Sequence, residues 1–507
     1  MGFSYIDNFL NKITMYKLVL YGLVTLSFIS ILLGFLGYLD YSGLSQILSL
    51  LILLCVCYVA NYLFCRFLEI EANVESVWIS AYILFFVLAP ISSFPDVAIH
   101  IVSGVLAMAS KYILAIGKKH IFNPVAISVF ILGLFGVGSA SWWVGNKFML
   151  LPVLLLGLLV IRKLIRVELF LSFLVSSLLV SSLFGYLNEF SLEETILSNV
   201  LSGPLLFFGF IMLTEPATTP VGKKLRVTYG IITGVLFGSQ FSLGPFYSTP
   251  ELALVLANLF SFVASPRVRL DLILKEKNKL TEDTYEFVWQ TKEKINFNAG
   301  QYLEWTLAHK HPDNRGNRRY FTVSSSPTEE SLSLGIKFYE SPSSFKSRLV
   351  SMEVGDKIVA GGLSGDFILP DDKSKKLVFI AGGIGVTPFR SMIKYLVDKK
   401  EKRNVVMFFS NKTSKDIVYK DVFDEAVARK ILKICYVCNS KLPDDTMPEV
   451  RMGLIDENMI KSDVPDYLER MFYISGPHGM VSAFESTLSK LGVPRKNIKV
   501  DFFPGYV

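Results

Sequence analysis

Cysteine and histidine are scarce in this chain of 507 residues, which has five of each. The cysteines are too few and too scattered for a disulfide framework, so we expect no structural disulfide. They also lack the four-thiolate spacing of an iron–sulfur site. Cys435 and Cys438 lie in a predicted strand, 431–439, where an offset of three directs their sulfurs to opposite faces. We therefore predict no metal site.

Histidine is especially rare in the first 268 residues, which contain only His100 and His120. A pair of stacked haems needs four axial histidines on helices that face each other. A double-haem path for electrons through this half of the chain is therefore excluded.

The excess of positive charge is also small, because 44 Asp and Glu nearly balance 51 Lys and Arg and leave a net charge of +7. The basic residues lie at the ends of apolar segments and across the second half rather than in one block, so nucleic acid is not an expected partner. The apolar segments contain almost no carboxylate apart from Glu215, at the end of one of them. This scarcity argues against ion pumping by this chain alone.

Long apolar segments are what the first 268 residues do have. The first segment, 18–39, is longer than a signal-peptide core and is followed by many others, so we interpret it as a retained membrane anchor. We predict a polytopic α-helical membrane domain over 1–268 with about ten spans. The candidate spans are 18–39, 46–65, 77–89, 97–116, 124–138, 149–161, 169–187, 204–213, 228–238 and 252–264.

Basic residues mark alternate connections between these segments, whereas the opposite connections have Lys147 as their only basic residue. By the positive-inside rule the basic connections face the cytoplasm. We therefore predict a multi-pass protein of the cell membrane whose two termini and second half are cytoplasmic. The basic connections contain Lys12, Lys17, Arg66, Lys118, Lys119, Arg162, Lys163, Arg166, Lys223, Lys224, Arg226, Arg267 and Arg269.

Two places in the apolar half are broken by polar residues, glycine and proline. They are 117–126, GKKHIFNPVA, and 213–220, LTEPATTP. Broken helices are tolerated at membrane depth only where protein or a cavity satisfies their backbone groups. The two segments resemble a GK-x-x-FNPA-like loop and a TDP-x-T-like turn in the D subunit of the Rnf electron-transport complex and the B subunit of the sodium-pumping NADH:quinone reductase.

This resemblance covers roughly residues 65–268. It implies a membrane domain that binds flavin and passes electrons within or across the bilayer, with Asn123 and Thr214 as candidate flavin-binding residues. The alternative is that Asn123, Thr214 and Glu215 only cap or hydrogen-bond the broken helix ends.

One stretch departs from the family pattern. The relatives attach FMN through a phosphoester to the Thr of an SGAT-type motif shortly before the TDP turn, but this chain has Ser202-Gly203-Pro204-Leu205 there. Leucine has no hydroxyl to esterify, which excludes covalent FMN at that position. A flavin in the membrane half, FMN or riboflavin, is therefore expected to be non-covalent.

From residue 269 the pattern changes to short alternating strands, which is typical of a small antiparallel β-barrel. Within 269–371, Arg319, Phe321 and Thr322 form an R-x-[YF]-[ST] motif, and Ser343 and Ser344 follow in a later turn. These motifs resemble the FAD-binding barrel of the ferredoxin-NADP reductase superfamily. The resemblance implies that Arg319 binds the pyrophosphate, Phe321 faces the isoalloxazine, Thr322 lies near its polar edge, and Ser343 and Ser344 receive phosphates.

Residues 372–507 are predicted to form an α/β nucleotide-binding domain, since an apolar strand at 377–380 leads into a glycine turn and a helix. The turn contains Gly382, Gly383, Gly385, Thr387 and Pro388. A later turn, Ser475-Gly476-Pro477, resembles the CGP-x-x-M nicotinamide-site turn of the same superfamily, with Ser475 in place of Cys. The tail at 501–506 either places an aromatic ring near the flavin or packs the last strand.

Together the motifs predict a membrane-bound, FAD-dependent NAD(P)H oxidoreductase. Hydride passes from nicotinamide to flavin, which then releases electrons singly. Thr322, Thr387 and Ser475 are the candidate catalytic residues, because they position the rings. Expected partners are the lipid bilayer, NAD(P)H, a quinone, flavin or redox-protein acceptor, and further membrane redox subunits.

Two alternatives and one ambiguity stay open. The membrane half could be only an anchor for a reductase of ferredoxin or flavodoxin, although ten spans are many for an anchor. It could instead be a redox-linked ion transporter. The stretch 410–413, SNKT, offers neither an acidic ribose ligand nor a pair of arginines, so NADH and NADPH are not distinguished.

Overall fold

The chain folds into two compact units, residues 1–265 and 266–507, in a computed structural model. The structure describes residues 6, 10, 13–68, 74–116, 119–220, 222–244, 246–265, 269–291, 295–309, 312–313, 316–440 and 450–503.

The first unit is helical. Its described helices are α1 (Met15–Phe35), α2 (Gly43–Leu68), α3 (Val74–Val87), α4 (Phe94–Ile113), α5 (Pro124–Leu134), α6 (Leu150–Leu164), α7 (Val167–Leu187), α8 (Leu192–Leu201), α9 (Leu205–Phe207), α10 (Lys223–Gly238) and α11 (Pro250–Ala264). Helix α9 continues directly as a π-helix, Phe208–Met212.

Four described helices, α1, α2, α4 and α7, are long and apolar enough to cross a membrane. Helices α8 and α9, with its π-helical continuation, are bent by 60° at a short break and would make a fifth span if they count as one. The predicted count of about ten is therefore not confirmed. The difference arises because apolar stretches such as α3, α5 and α11 fold as shorter helices, and hydropathy alone does not separate a full span from a half one.

The same order of elements occurs twice in this unit. Helix α4 leads into a hairpin of β1 (Ala115–Ile116) and β2 (Lys119–His120), and then into α5. Helix α10 leads likewise into β3 (Ser242–Leu243), β4 (Phe246–Tyr247) and α11. Both short helices begin at a proline preceded by a side-chain cap, Asn123 or Thr249.

The second unit begins with an antiparallel barrel, as predicted. Its strands run in the order β8-β7-β10-β5-β6-β9. The backbone N–H of Ser324, just beyond β8, donates to Ser333 O in β9 at 2.9 Å and joins the two edges. The elements are β5 (Arg269–Lys279), β6 (Thr284–Gln290), β7 (Tyr302–Thr306), β8 (Arg318–Thr322), β9 (Leu332–Lys337), α12 (Ser344–Val350) and β10 (Lys357–Ser364).

The rest of the second unit is an α/β layer with a parallel sheet in the order β14-β13-β12-β11-β15-β16. The order reverses at β11, so a crevice opens at the carboxyl ends of β11 and β15, where ligands of such sheets bind. The elements are β11 (Leu377–Gly382), α13 (Thr387–Asp398), β12 (Val405–Asn411), α14 (Lys420–Ala428), β13 (Leu432–Cys438), β14 (Val450–Met452), α15 (Glu457–Asp463), β15 (Met471–Pro477), α16 (His478–Lys490) and β16 (Ile498–Phe503).

Candidate flavin and nucleotide sites

The two predicted turns of the α/β layer lie against each other at the crevice. An ideal Cβ on Gly385 would lie 2.5 Å from Ser475 O and 2.6 Å from Gly476 Cα. A Cβ on Gly382 would lie 2.4 Å from Met480 Sδ. Gly385 therefore packs on the backbone of the later turn and Gly382 on the Met480 side chain, which leaves no space for a Cβ at either position.

Gly383 has a different role, because its φ of +52° is in the left-handed region and an added Cβ would meet nothing within 4 Å. The turn thus presents open backbone beside the start of α13, where N–H groups and the helix dipole favour an anion. Thr387, the first residue of α13, is buried and donates from its hydroxyl to Ile384 O at 3.2 Å. Thr387 therefore shapes the turn, with Pro388 at the second position of the helix.

Ser475 is fully buried at the end of β15, and its hydroxyl has no hydrogen-bond partner among the described residues. A buried polar atom without a partner is costly unless a ligand satisfies it. In the parallel register Ser475 lies opposite Asp501 of β16. Burial raises the pKa of Asp501 from 3.8 to about 6.

The part of the crevice where the adenosine would bind also has a buried polar side chain without a partner among the described residues. Asn411, the last residue of β12, is 5% exposed, and neither amide atom of its side chain has a partner among the described residues. The end of the second strand is where dinucleotide-binding sheets meet the adenosine ribose. The orphaned Ser475 hydroxyl, the open Gly383 backbone and the Asn411 carboxamide fit a nicotinamide nucleotide.

The barrel strand β8 carries the predicted flavin motif. Arg319 and Phe321 alternate along β8 and both contact Phe345 of α12: the guanidinium lies 5.3 Å from its ring centre, and the two aromatic rings are 5.8 Å apart. Thr322 is buried at the end of the strand, opposite Tyr302 of β7. The charged and aromatic ends of the motif therefore share one face of the strand.

A cavity of about 550 Å³ lies beside this motif and is lined by His309, Ser344, Ser347, Arg348 and Ser351. Ser343 accepts from Lys346 N and begins α12, whereas Ser344 bonds to His309 Nε2 at 3.0 Å. The arginine and hydroxyl groups that line this cavity, together with the neighbouring Arg319, fit the phosphates of FAD.

A buried charged cluster joins the barrel to the α/β layer. Arg390 of α13 bonds to both carboxylate oxygens of Glu329 and donates to Ser324 O at 3.2 Å. Its guanidinium lies 5.6 Å from the ring centre of Tyr419, and burial raises the pKa of nearby Glu286. These residues belong to none of the predicted motifs. An arginine beside the apolar face of α13 was the feature of the sequence that could have pointed to them.

In the first unit the two broken segments meet. Asn123 Nδ2 donates to Glu215 Oε2 at 2.9 Å, and His120 Nε2 lies 3.3 Å from Glu215 Oε1. Asn123 Oδ1 accepts from the N–H groups of Val125 and Ala126 and so caps α5. Asn123 therefore caps a broken helix and hydrogen-bonds to the second segment, as the structural alternative expects, and its flavin-binding role stays a prediction.

The network continues into the interior. Asn258 of α11 accepts from Asn123 N at 2.8 Å and donates to Tyr229 Oη at 2.8 Å. Thr214 is 1% exposed and its hydroxyl donates to Phe210 O, while Arg166 Nη1 donates to Thr214 O at 2.8 Å. The Thr214 hydroxyl is thus already used within its own helix.

Leu205 occupies the position of the esterified threonine in the relatives and is 1% exposed within the apolar core. The carbonyl oxygen of Gly203, two residues earlier, packs against Gly145. An ideal Cβ added to Gly145 would lie 2.4 Å from that oxygen. The stretch is therefore filled by protein atoms.

Family models match both halves of the chain. A model described as NQR2, RnfD, RnfE family matches residues 107–265, and one described as oxidoreductase NAD-binding domain matches residues 379–486. Both resemblances predicted from the motifs are thereby confirmed.

Curated relatives match parts of the chain. A flavohemoprotein of Bacillus subtilis is 24% identical over 295 residues, which are 58% of this chain and 70% of that protein. The glycine betaine monooxygenase reductase subunit of Chromohalobacter salexigens is 27% identical over 199 residues, which are 39% of this chain. The match spans 53% of that reductase subunit, about half of its length.

Solved structures give similar matches. A flavohemoglobin from Malassezia yamatoensis with bound FAD and heme has 19% identity and a TM-score of 0.43, covering 70% of this chain and 98% of that one. The cytochrome b5 reductase domain of Ulva prolifera nitrate reductase has 20% identity and a TM-score of 0.41, covering 47% and 97%.

The family matches and the site geometry agree on the two parts of the molecule. The first unit contains the apolar helices and the matched membrane family, and the second contains the barrel and the nucleotide crevice. The chain is thus an NAD(P)H oxidoreductase flavoprotein in which a domain that matches the NQR2, RnfD, RnfE family precedes one that matches the oxidoreductase NAD-binding domain.

Proposed function

We propose that this protein takes electrons from cytoplasmic NAD(P)H through FAD and passes them into its membrane domain, to a flavin or quinone acceptor there. The observation that carries the proposal is that one chain joins a hydride-accepting module to a membrane domain of an electron-transport family. Further membrane redox subunits are expected partners.

Residues of the second unit bind and orient the two nucleotides. Arg319, Ser343 and Ser344 hold the FAD phosphates, and Phe321 and Thr322 flank its ring. The open backbone of Gly383 receives the coenzyme phosphates at the start of α13. Gly382, Gly385, Gly476 and Pro477 keep the two turns in contact, and the buried Ser475 hydroxyl bonds to the carboxamide of the nicotinamide. When bound, FAD supplies a ring that accepts a hydride and releases electrons singly.

In the membrane domain we propose Asn123 and Thr214 as residues of the acceptor site. Asn123 lies where the two broken segments meet, and polar groups at membrane depth commonly mark function. Because Leu205 replaces the esterified threonine, a flavin there is FMN or riboflavin held without a covalent bond.

The proposed location is the cell membrane, with a multi-pass topology of about ten spans. Both termini and the reductase module lie in the cytoplasm, according to the distribution of basic residues. This orientation gives the module access to the cytoplasmic NAD(P)H pool.

Aromatic packing favours electron transfer over solute transport. Aromatic rings pack around the bend between α8 and α9. The ring centre of Phe207 lies 5.5 Å from that of Phe86, and the ring centre of Phe208 lies 5.3 Å from that of Phe173 and 6.0 Å from that of Trp142. A solute path through this region would require these buried rings to move.

Flavin analysis of the detergent-purified full-length protein tests the proposal. Acid-released flavins are identified by chromatography, and the precipitate is checked for bound fluorescence. FAD together with a second acid-released flavin supports an internal relay, whereas FAD alone leaves direct quinone reduction. Fluorescence retained on the polypeptide would contradict the assignment from Leu205 and direct attention to Thr218 and Thr219.

A further inference from the structure

Arg390 is a charged residue in the interior of the second unit. Its side chain is nine-tenths buried in α13, which follows the glycine turn of the α/β layer. Its two terminal nitrogens bond to the carboxylate of Glu329, with Nη2 at 3.0 Å from Oε1, and Nη1 also donates to Ser324 O. This is the planar two-point geometry for which arginine is suited and lysine is not.

The partners of Arg390 belong to the barrel. Ser324 lies two residues beyond Thr322, at the end of the flavin strand β8, and Glu329 lies in the turn that connects β8 to β9. A second bond runs parallel, since the hydroxyl of Ser391 donates to Ser325 O at 2.6 Å. The chain segment that follows the flavin motif is therefore tied to the helix that follows the nucleotide turn.

The surrounding contacts are close. An added Cβ on Gly335 of β9 would lie 2.3 Å from Tyr419 Oη and 3.0 Å from Thr387 Cγ2. Tyr419 places its ring against the Arg390 guanidinium, and Glu286 of β6 faces the same cluster. The barrel and the α/β layer are therefore in close contact beside Thr387.

Burial of this charge is not explained by stability alone. A buried ion pair loses solvation that its Coulomb attraction repays only in part, and apolar replacements of similar volume are often neutral or stabilising. Directed, two-point bonds fix geometry better than apolar contacts do, so the cluster is suited to set the distance between two binding sites.

We propose that Arg390 is a positioning residue for hydride transfer. Paired with Glu329, it holds the flavin strand and the nucleotide turn in register, so that the nicotinamide lies against the flavin ring. The proposal rests on the proposed electron transfer from NAD(P)H to FAD. It goes beyond that transfer, because it assigns Arg390 a role through its bonds to Glu329 and Ser324.

The test uses the full-length, FAD-loaded protein and stopped-flow measurement of flavin bleaching by NAD(P)H. Variants are Arg390→Gln, Glu329→Gln, the double variant and Arg390→Lys. Misplacement of reacting groups by about 1 Å lowers rates on the order of 100-fold, so each glutamine variant should slow hydride transfer to this degree. The control is Arg495→Gln, which removes an exposed ion pair with Glu485.

The expected pattern has four parts. FAD content and coenzyme Kd stay within about threefold of wild type, because the binding residues are intact. The double variant is no slower than the slower single variant, since the pair acts as a unit. The long-wavelength absorbance of the nicotinamide–flavin complex is lost in both single variants. Arg390→Lys recovers part of the rate.

Other outcomes overturn the proposal. A raised coenzyme Kd with an unchanged rate at saturation would make Arg390 a coenzyme ligand, and a lowered melting temperature with an unchanged rate would make the pair merely structural. If Arg390→Gln does not fold, Glu329→Gln decides by the same readouts. Wild-type protein that is not bleached by NAD(P)H would instead contradict the proposed function.

Discussion

At the residue scale, two of the buried polar side chains without partners among the described residues, Ser475 and Asn411, lie where a nucleotide would supply partners. Asn411 ends β12 and Ser475 lies near the end of β15, on the two sides of β11 in one sheet. Each has side-chain atoms without a hydrogen-bond partner among the described residues. Such atoms are few in folded proteins, and their cost is removed when a ligand bonds to them. The proposed coenzyme therefore satisfies groups that folding alone leaves unpaired.

Asn411 should influence the choice between NADH and NADPH. A carboxylate at this position would bond to a ribose 2′-hydroxyl and repel a 2′-phosphate, so Asn411→Asp is expected to shift the ratio of kcat/KM toward NADH by roughly tenfold. The measurement is steady-state reduction of ferricyanide with each coenzyme. An unchanged ratio would place the ribose elsewhere.

Asp501 should make stability depend on pH. Burial raises its pKa from 3.8 to about 6, so the folded protein keeps a proton that the unfolded chain releases. Its contribution therefore becomes more unfavourable as pH rises from about 4 to 6 and is constant above that range.

Asp501→Asn removes this cost. We expect a gain of about 1 kcal/mol at pH 8, which corresponds to a melting temperature higher by roughly 2–4 °C, and little gain near pH 4. Thermal unfolding at both pH values measures the difference, with the exposed Asp421→Asn as control. A gain that is equal at both pH values would show that ionisation of Asp501 is not its cause.

At the scale of elements, the contact between two turns sets the nucleotide crevice. Gly385→Ala would place a methyl group 2.5 Å from Ser475 O, so the turns must separate. We expect a loss of stability of roughly 1–3 kcal/mol and slower flavin reduction by NAD(P)H. Gly479→Ala, in the first turn of α16 with no neighbour within 4 Å of the added atom, is the control. Equal effects of the two variants would rule out the contact as the reason for glycine.

The contact between the two broken segments of the first unit should also depend on a particular side chain, Asn123. Asn123→Ala removes the cap of α5 and leaves the half-buried Glu215 carboxylate without its amide donor, with an expected loss of roughly 2–4 kcal/mol. Thermal aggregation in detergent reports this loss, and the exposed helix cap Asn188→Ala serves as control. A similar effect of both variants would make Asn123 an ordinary cap.

Sequence reasoning located local elements better than distant contacts. The predicted strands 377–380 and 431–439 lie close to β11 and β13, because apolar runs and the residues that interrupt them are local properties of the sequence. The contacts Asn123–Glu215 and Arg390–Glu329 join residues far apart in sequence, which a single chain without its fold does not reveal.

At the scale of the whole molecule, an apolar half and a nucleotide-binding half share one chain. The membrane family match covers residues 107–265 and the oxidoreductase match covers 379–486, so one polypeptide joins an NQR2, RnfD, RnfE family domain to an oxidoreductase NAD-binding domain. An anchor would not need a buried network of Asn123, Glu215, Asn258 and Tyr229. The predicted count of about ten spans is not confirmed for a related reason: half-length helices around such a network are apolar, as full spans are.

The most direct measurement is NAD(P)H oxidation by the full-length protein in liposomes, with either a membrane quinone or ferricyanide as acceptor. We expect the wild-type protein to reduce both acceptors. The Glu215→Gln variant should keep the ferricyanide rate, because that reaction needs only the FAD module, but lose most of the quinone rate. Wild-type protein that reduces ferricyanide and no membrane acceptor, or a Glu215→Gln variant with both rates unchanged, would contradict electron transfer through the membrane domain.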